Sequence, residues 1–213
     1  MDINRVLITA GPTWVPLDRV RVISNVSGGE TGVLLAKKLS GLGMKVTLLL
    51  GPVNHPVLGG GFKLVRFRFF DELKEALLRE LKTGKYDIVI HSAAVSDYRP
   101  DRISNLKIPS GKKRLKFELI PTLKLINLIK KSLPKVFLVG FKFEPGKKKG
   151  YLLKKARYLI GNAKADLVVA NSIDNRGYRA YIVEKDSISS PFKNKKAMVS
   201  NLARQLTERI CRN

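Results

Sequence analysis

The segment RVLITAGPTWVPLDRVRVISNVSGGETG, residues 5–32, decides the fold. Its first six residues form a short apolar run rich in branched side chains, which predicts a buried β-strand. A long loop then delivers Ser27 and the glycines at 28, 29 and 32 to a segment whose apolar residues recur at helical spacing. Because backbone N–H groups at a helix N-terminus favour anions, this strand–loop–helix unit predicts a phosphate site. The alternative is a plain capped helix with a flexible lead-in.

The alternation of strands and helices continues along the chain. Apolar runs that predict strands cover residues 45–50, 86–95, 134–141 and 165–171, a further short apolar run covers 63–67, and helix-patterned segments cover 71–81 and about 150–161. Apolar strands that alternate with helices are typical of a parallel sheet covered on both faces. The sequence has no internal repeat and no linker that would divide it, so we predict one α/β domain over residues 1–213.

Two segments depart from this pattern. Residues 98–121 are polar, and within them KRLKFEL (113–119) alternates apolar and charged residues, which predicts a half-buried strand on a protruding arm. A strand outside the main sheet has unpaired edges, and a second subunit is one partner that would cover them. YRAYIV (178–183) predicts an antiparallel edge strand, and the apolar residues between 198 and 210 predict a helix that docks on the sheet.

The net charge of the chain indicates which classes of partner it attracts. With 41 Lys and Arg against 17 Asp and Glu, the net charge is +24, which attracts polyanions or small phosphorylated substrates. The basic residues are dispersed and the sequence has no groove-reading motif, which favours a lysine-rich enzyme surface, as in a protein from a hot environment, over a nucleic-acid binder. Without an apolar run of membrane-spanning length or a signal peptide, we expect a soluble cytoplasmic protein with no membrane contact. Cys211, the only cysteine, fits a reducing compartment.

Four predicted strands end in small, polar or glycine-rich residues: AGPT (10–13), SAAVSDYRP (92–100), GFKFEPG (140–146) and ANS (170–172). In open α/β sheets ligands bind at the carboxyl ends of strands, so these four ends predict a single ligand site. A nicotinamide cofactor is disfavoured, because the glycines do not follow the first strand directly and the second strand runs into Gly51-Pro52 instead of a ribose-binding acid.

Five motifs follow one another in the chain: ITAGPTWVPLDRVRVISNVSGGETG (8–32), SAAVSDYRP (92–100), LKI (106–108), VGFKFE (139–144) and VVAN (168–171). In order and spacing, over residues 5–185, they resemble phosphopantothenate–cysteine ligase, an enzyme family of coenzyme A biosynthesis. The resemblance implies a modified dinucleotide-binding, Rossmann-like domain that forms a homodimer through an extended arm, here residues 98–121. Because no decarboxylase region precedes these motifs, the resemblance is to the stand-alone form, which works with a separate phosphopantothenoylcysteine decarboxylase.

The resemblance also implies a reaction. The carboxylate of 4'-phosphopantothenate attacks the α-phosphate of CTP or ATP, which enters with Mg²⁺, and an acyl-nucleotidylate and pyrophosphate form. The amine of cysteine then attacks the activated carbonyl and releases the nucleoside monophosphate. A carboxylate is a poor acyl donor, so the nucleotide supplies the leaving group, and the protein positions the reactants and stabilises phosphate charge.

Individual residues take their roles from the same resemblance. Catalysis falls to Asn25, whose amide would donate to the reacting carbonyl, and to the arm lysine Lys107 near the α-phosphate, with Lys112 and Lys113 as alternatives. The nucleotide would contact Gly11, Ser27, Gly29, Gly32, Phe141 and Asn171; phosphopantothenate would contact Ala93, Ala94 and Asp97, and Arg21 of the neighbouring subunit would reach its phosphate. The plain alternatives are a loop asparagine bonded to its own backbone, solvated basic side chains and a phenylalanine in the core.

The glycine loop departs from the family pattern at two positions. Gly28 stands where the family has serine, and Glu30 stands where it has a basic residue, so a carboxylate would lie near the triphosphate. Either magnesium and surrounding lysines offset Glu30, or it points to solvent. His55 and His91 match no family role and are expected to be structural, and no His/Cys cluster suggests a structural metal. A non-catalytic phosphate-ligand or nucleic-acid binding protein on the same fold is the alternative function.

Overall fold

The structure is a computed structural model, which describes residues 4–53, 57, 60–111 and 113–210. These residues form strands β1 (Arg5–Ala10), β2 (Trp14–Pro16), β3 (Val22–Ser24), β4 (Lys45–Leu50), β5 (Lys63–Arg66), β6 (Ile88–His91), β7 (Tyr98–Pro100), β8 (Leu119–Pro121), β9 (Phe137–Phe143), β10 (Leu167–Asp174) and β11 (Gly177–Val183). They also form helices α1 (Glu30–Gly41), α2 (Phe70–Lys82), α3 (Ile126–Ser132), α4 (Lys149–Ala163) and α5 (Lys195–Ile210). The predictions for His55, Lys112 and Cys211 lie outside the described residues.

Seven strands form the main sheet in the order β11-β10-β9-β6-β1-β4-β5. Neighbouring strands pair in parallel from β10 to β5, and only the edge strand β11 pairs antiparallel with its neighbour. The predictions of a mostly parallel sheet and of an antiparallel edge at 178–183 are therefore confirmed. Among the described helices, none is long and apolar enough to cross a membrane.

Each face of the sheet is covered by helices. Along β1, Val6 and Ile8 point into the core beneath α1 and α5, and Leu7 points into the core beneath α2, α3 and α4. These side chains are fully buried, because successive residues of a strand point to opposite faces and both faces are covered. The predicted α/β fold with helices on both faces is confirmed, and the C-terminal helix docks on the sheet as expected.

Some strand bounds differ from the predictions for a physical reason. β6 ends at His91 and not at residue 95, because its pairing with β9 ends there, while the residues that follow continue to pair with the end of β1 and the loop after it. Ser92 N donates to Thr9 O of β1 at 3.0 Å, and Ala94 N donates to Gly11 O in the loop at 2.9 Å. The residues after β6 therefore extend the sheet at the carboxyl end of β1.

The arm is less regular than the sequence pattern predicts. Its two ends pair as β7 and β8, but 113–118 form no strand, so the strand predicted over 113–119 is wrong except at its last residue. Leu115, Phe117 and Leu119 are exposed, with 47%, 36% and 44% of their surface accessible. An alternating pattern becomes a strand only when a neighbouring strand pairs with it, and within one chain no described strand lies beside this segment.

Candidate functional site

A cavity of about 710 Å³ lies at the carboxyl ends of the central strands. It is bounded by the last residue of β6, by the ends of β9 and β10, and by the first turn of α1. These strands and β1 are consecutive in the sheet order β10-β9-β6-β1, so the four polar strand ends of the sequence do meet at one edge.

Nine of the twelve predicted site residues line this cavity: Asn25, Ser27, Gly29, Gly32, Ala93, Ala94, Asp97, Phe141 and Asn171. Asn25 and Asp97, which the sequence places on different loops, thus face the same space. Gly11, Arg21 and Lys107 are not among the lining residues. Gly11 lies against the lining residue Gly29, and Arg21 and Lys107 lie where the arm contacts the turn between β2 and β3, as described below.

The glycine loop brings α1 close to the end of β1. Gly29 has φ 67° as the N-cap of α1, and a methyl group there would lie 3.2 Å from the backbone of Gly11. At Gly32 a methyl group would lie 2.3 Å from Cβ of Ala10, so only glycine allows this approach. No side-chain hydrogen bond caps this end of α1 in the described part of the chain. Its first N–H groups therefore remain available to an anion in the cavity.

Glu30, the residue that conflicts with a phosphate site, is paired with a lysine from the other end of the sequence. Its carboxylate accepts a hydrogen bond from Nζ of Lys195, the first residue of α5, and both side chains line the cavity. The structure therefore offsets the negative charge of Glu30 within the chain. Sequence analysis missed Lys195, because the two residues are 165 positions apart.

Asn25 follows β3 directly and is fixed by its amide nitrogen. Nδ2 donates to the carbonyl oxygens of Ala94 at 3.1 Å and of Val95 at 3.2 Å. The loop that contains Ala94 and Val95 is fixed by a further hydrogen bond, in which Ser96 N donates to Oγ1 of Thr13 at 2.9 Å. Both amide hydrogens of Asn25 are used in these contacts, so the group that it has left for a ligand is the acceptor Oδ1.

Asp97 lies at the exposed side of the cavity. Its Oδ1 accepts a hydrogen bond from Nζ of Lys124, which also lines the cavity, and about 60% of each side chain is accessible. An exposed ion pair of this kind is weak, so a polar substrate group can replace either partner at little cost.

His91, the last residue of β6, is buried at the floor of the cavity. Its Nδ1 lies 2.9 Å from Oγ1 of Thr9, and that oxygen also accepts a hydrogen bond from Ala93 N at 3.3 Å. Burial lowers the pKa of His91 to about 4, so the imidazole is neutral at pH 7 and adds no charge to the site. The structural role expected for His91 agrees with this packing.

Two buried polar atoms at the β9–β11 side of the cavity lack a hydrogen-bond partner among the described residues. They are Oδ1 of Asn171 and the hydroxyl of Tyr178, and both side chains line the cavity near Phe141. Burial raises the pKa of Tyr178 to about 12, and the nearby Asn171 side chain partly offsets that rise without reaching hydrogen-bond geometry. Buried polar atoms are normally paired, so these two neighbouring groups would pair with each other after a small side-chain movement or with a ligand that reaches this side of the cavity.

Arg21, in the turn between β2 and β3, lies beside the part of the arm that contains Lys107. Nη1 of Arg21 donates to Oδ2 of Asp18 at 2.7 Å and to the carbonyl oxygen of Ile108 at 3.1 Å. Lys107 precedes Ile108 and is exposed. Within one chain neither residue reaches the cavity, which agrees with the expectation that Arg21 would serve a neighbouring subunit and leaves that role a prediction.

Comparison with known proteins identifies the family of this arrangement. Residues 1–212 match the DNA/pantothenate metabolism flavoprotein C-terminal domain. The coenzyme A biosynthesis bifunctional protein CoaBC of Thermococcus kodakarensis is 41% identical over 170 residues, which are 80% of this chain and 41% of that protein. The chain spans less than half the length of the curated relatives it matches.

Two solved structures share the fold over their whole length. The crystal structure of a DNA/pantothenate metabolism flavoprotein from Streptococcus pneumoniae is 25% identical, covers 96% of this chain and 99% of its own, and has a TM-score of 0.83. The C-terminal domain of a CoaBC protein is also 25% identical, covers 99% of this chain and 97% of its own, and has a TM-score of 0.80. On the match over residues 1–212, the chain belongs to the family of the DNA/pantothenate metabolism flavoprotein C-terminal domain.

Proposed function

We propose that this chain is a ligase that condenses 4'-phosphopantothenate with cysteine in coenzyme A biosynthesis, through an acyl-nucleotidylate intermediate. The observation that carries the proposal is the single cavity that gathers nine residues from separate motifs of the sequence. The name of the CoaBC relatives, as proteins of coenzyme A biosynthesis, supports the same pathway. We place the activity in the cytoplasm, with a phosphopantothenoylcysteine decarboxylase as the enzyme that takes the product.

In the first step the substrate carboxylate attacks the α-phosphate of the nucleotide and pyrophosphate leaves. The N-terminus of α1, with Ser27 and Gly29, is the part of the cavity suited to the phosphates, because its N–H groups carry partial positive charge. Lys195 adds a cation beside Glu30. Magnesium fits as a companion of the triphosphate, because it binds mainly through phosphate oxygens with one or two carboxylates, and Asp97, whose ion pair with Lys124 is exposed, is a cavity carboxylate that would serve. When bound, it neutralises phosphate charge.

The nucleotide base fits the side of the cavity with unpaired buried atoms. Cytosine and adenine both present an exocyclic amine, a donor, beside a ring nitrogen that accepts. Oδ1 of Asn171 can accept from the amine, the hydroxyl of Tyr178 can donate to the ring nitrogen, and Phe141 can cover the ring. Uracil and guanine present a carbonyl oxygen in place of the amine, so we expect CTP or ATP to be used and UTP and GTP to be poor.

In the second step the amine of cysteine attacks the activated carbonyl. Ala93 and Ala94 let phosphopantothenate lie against the backbone, and Asp97 can accept from its hydroxyl groups. The sequence assigns Asn25 as a donor to the reacting carbonyl, but its Nδ2 already donates to two backbone carbonyls. We therefore assign its Oδ1 to accept a hydrogen bond from the attacking amine, which keeps Asn25 in the amide-forming step.

We further propose a homodimer formed through the arm. Leu106, Leu115 and Phe117 are exposed on the arm, and so is Tyr98 at its base, which is a large apolar area for one short segment. A partner strand would complete the alternating segment 113–119 and bring Arg21 towards the partner's substrate. Sedimentation equilibrium should give twice the chain mass, and Phe117→Asp should give the monomer.

The test of the activity is pyrophosphate release with phosphopantothenate, cysteine, Mg²⁺ and CTP or ATP. We expect release that depends on phosphopantothenate. Asn25→Ala should still release pyrophosphate but form amide slowly, so the acyl-nucleotidylate accumulates. Lys107→Ala should abolish release, while Lys113→Ala, the control, should retain it. An absence of release, together with salt-sensitive retention of DNA, would instead support the alternative of a phosphate-ligand or nucleic-acid binding protein, for which the net charge of +24 is the motivation.

A further inference from the structure

Asp18 is a buried carboxylate in the turn between β2 and β3, called here the first hairpin. Its four hydrogen bonds are divided between its two oxygens. Oδ1 accepts from the backbone N–H groups of Val20 at 2.8 Å and Arg21 at 2.7 Å. Oδ2 accepts from Nη1 of Arg21 at 2.7 Å and from the backbone N–H of Ile108 at 3.0 Å. One oxygen therefore closes the turn, and the other binds a residue 90 positions away.

The second set of contacts fixes the arm segment, residues 104–108, against the first hairpin. Both backbone groups of Ile108 are used, since its N–H reaches Asp18 and its carbonyl oxygen accepts from Nη1 of Arg21 at 3.1 Å. At the other end of the arm segment, Ser104 N donates to Leu17 O at 3.2 Å. Lys107 lies between these two points of attachment, although its own side chain is exposed.

The electrostatics of Asp18 suit a permanent contact. Burial raises its pKa, but the N–H groups of Ile108, Val20 and Arg21 and the charge of the Arg21 guanidinium lower it by more, so the pKa of Asp18 is about 2. The side chain is therefore an anion at any pH at which an enzyme of this kind works, and hydrogen bonds to a charged acceptor are the strong ones.

We propose that Asp18 is a positioning residue for Lys107, because it fixes the backbone beside Lys107 to the hairpin that also carries Asn25. β3, the second strand of the first hairpin, ends at Ser24, and Asn25 follows it into the cavity. The first hairpin thus carries Asn25 at one end and, through Asp18, holds the arm segment at its turn. The inference rests on the proposed function for the role of Lys107, whereas the contact itself does not.

Because each oxygen of Asp18 binds a different part of the chain, the variant Asp18→Asn can remove the arm contact and keep the turn. If the amide oxygen keeps the place of Oδ1, the turn stays closed, and the amide nitrogen faces two donors, Nη1 of Arg21 and N–H of Ile108. The arm contact is then lost while the hairpin remains. Asp101→Asn is the matched control, because it removes the same charge from an exposed arm residue whose nearest cation, on Arg102, is 3.8 Å away.

Amide hydrogen exchange measures the contact between Asp18 and the N–H of Ile108 without an activity assay. In the wild type, the Ile108 amide should exchange at least about tenfold more slowly than the amide of Lys113 on the same arm. Asp18→Asn should remove this protection and speed tryptic cleavage after Lys107 by about tenfold at a temperature at which both proteins are folded, and Asp101→Asn should change neither. If the Ile108 amide of the wild type exchanges as fast as that of Lys113, the proposal is overturned even if Asp18→Asn fails to fold.

Activity then tests the positioning role. Asp18→Asn should slow pyrophosphate release without raising the KM for cysteine. Lost protection of Ile108 with normal pyrophosphate release would overturn the positioning role. If Lys107→Ala itself releases pyrophosphate normally while Asp18→Asn still exposes Ile108, the role of Lys107 in the proposed function fails and the contact stands.

Discussion

Folding stability should fall between pH 7 and pH 5 because of one buried histidine, His91. Its pKa in the folded chain is about 4, against an ordinary value of 6.5. Between these two values the unfolded chain binds a proton that the folded chain excludes, so stability is complete above the ordinary pKa and is lost as the pH falls towards 4. From the two pKa values, the loss between pH 7 and pH 5 is about 2 kcal/mol.

The variant His91→Gln isolates this loss. Glutamine does not titrate, so its curve of unfolding free energy against pH should be flatter by about 2 kcal/mol over the same range, whatever its absolute stability. The chain has two histidines, and His55 lies outside the described residues, so both proteins should carry His55→Gln. Carboxylates contribute equally to both curves and cancel.

Urea unfolding at half-unit steps of pH measures both curves. For a chain of this size, the expected loss corresponds to a fall in melting midpoint of about 4–8 °C between pH 7 and pH 5. If the two proteins lose the same free energy over this range, His91 is not excluded from protonation, and the contact between its Nδ1 and Thr9 does not hold a neutral ring.

Three further outcomes follow from the cavity. Gly29→Ala should unfold about 1–2 kcal/mol more easily than Gly28→Ala, because φ is 67° at Gly29 and a methyl group at Gly28 meets no atom within 4 Å; equal urea midpoints would contradict this. Lys195→Ala should raise the KM for the nucleotide about tenfold by leaving Glu30 unpaired, whereas Lys196→Ala, the exposed neighbour, should not, and similar values for both would remove Lys195 from the site. Asn171→Ala should lower the preference for CTP or ATP over UTP and GTP about tenfold in steady-state kinetics, and an unchanged preference would move base recognition elsewhere.

The central sheet could be predicted because its pattern is local. The runs at 5–10 and 45–50 have the same bounds in the sequence and in the structure, since strands buried on both faces are continuous apolar segments. The gathering of Asp97, Phe141 and Asn171 around one cavity follows from the same rule, because parallel strands place their carboxyl ends at one edge.

Long-range pairing could not be predicted in this way. The partner of Glu30 is Lys195 and the partner of Asp18 is the backbone of Ile108, and no local pattern connects residues so far apart. The strand expected over 113–119 failed for a related reason, since alternation specifies which side chains share a face but not which strand pairs with them. The resemblance supplied the roles of site residues and could not supply these contacts, because Glu30 itself departs from the family pattern.

The ion pair between the first helix and the last one makes the cavity depend on the C-terminal part of the chain. The other residues that line the cavity, from Asn25 to Tyr178, all precede α5 in the sequence. Without α5, Leu202 and Leu206 cannot cover their face of the sheet, and Glu30 faces the cavity without its partner Lys195. A chain that ends before residue 195 would therefore keep most of the residues that line the cavity, but under the proposed function Glu30 would repel the triphosphate, so nucleotide binding would need the complete domain.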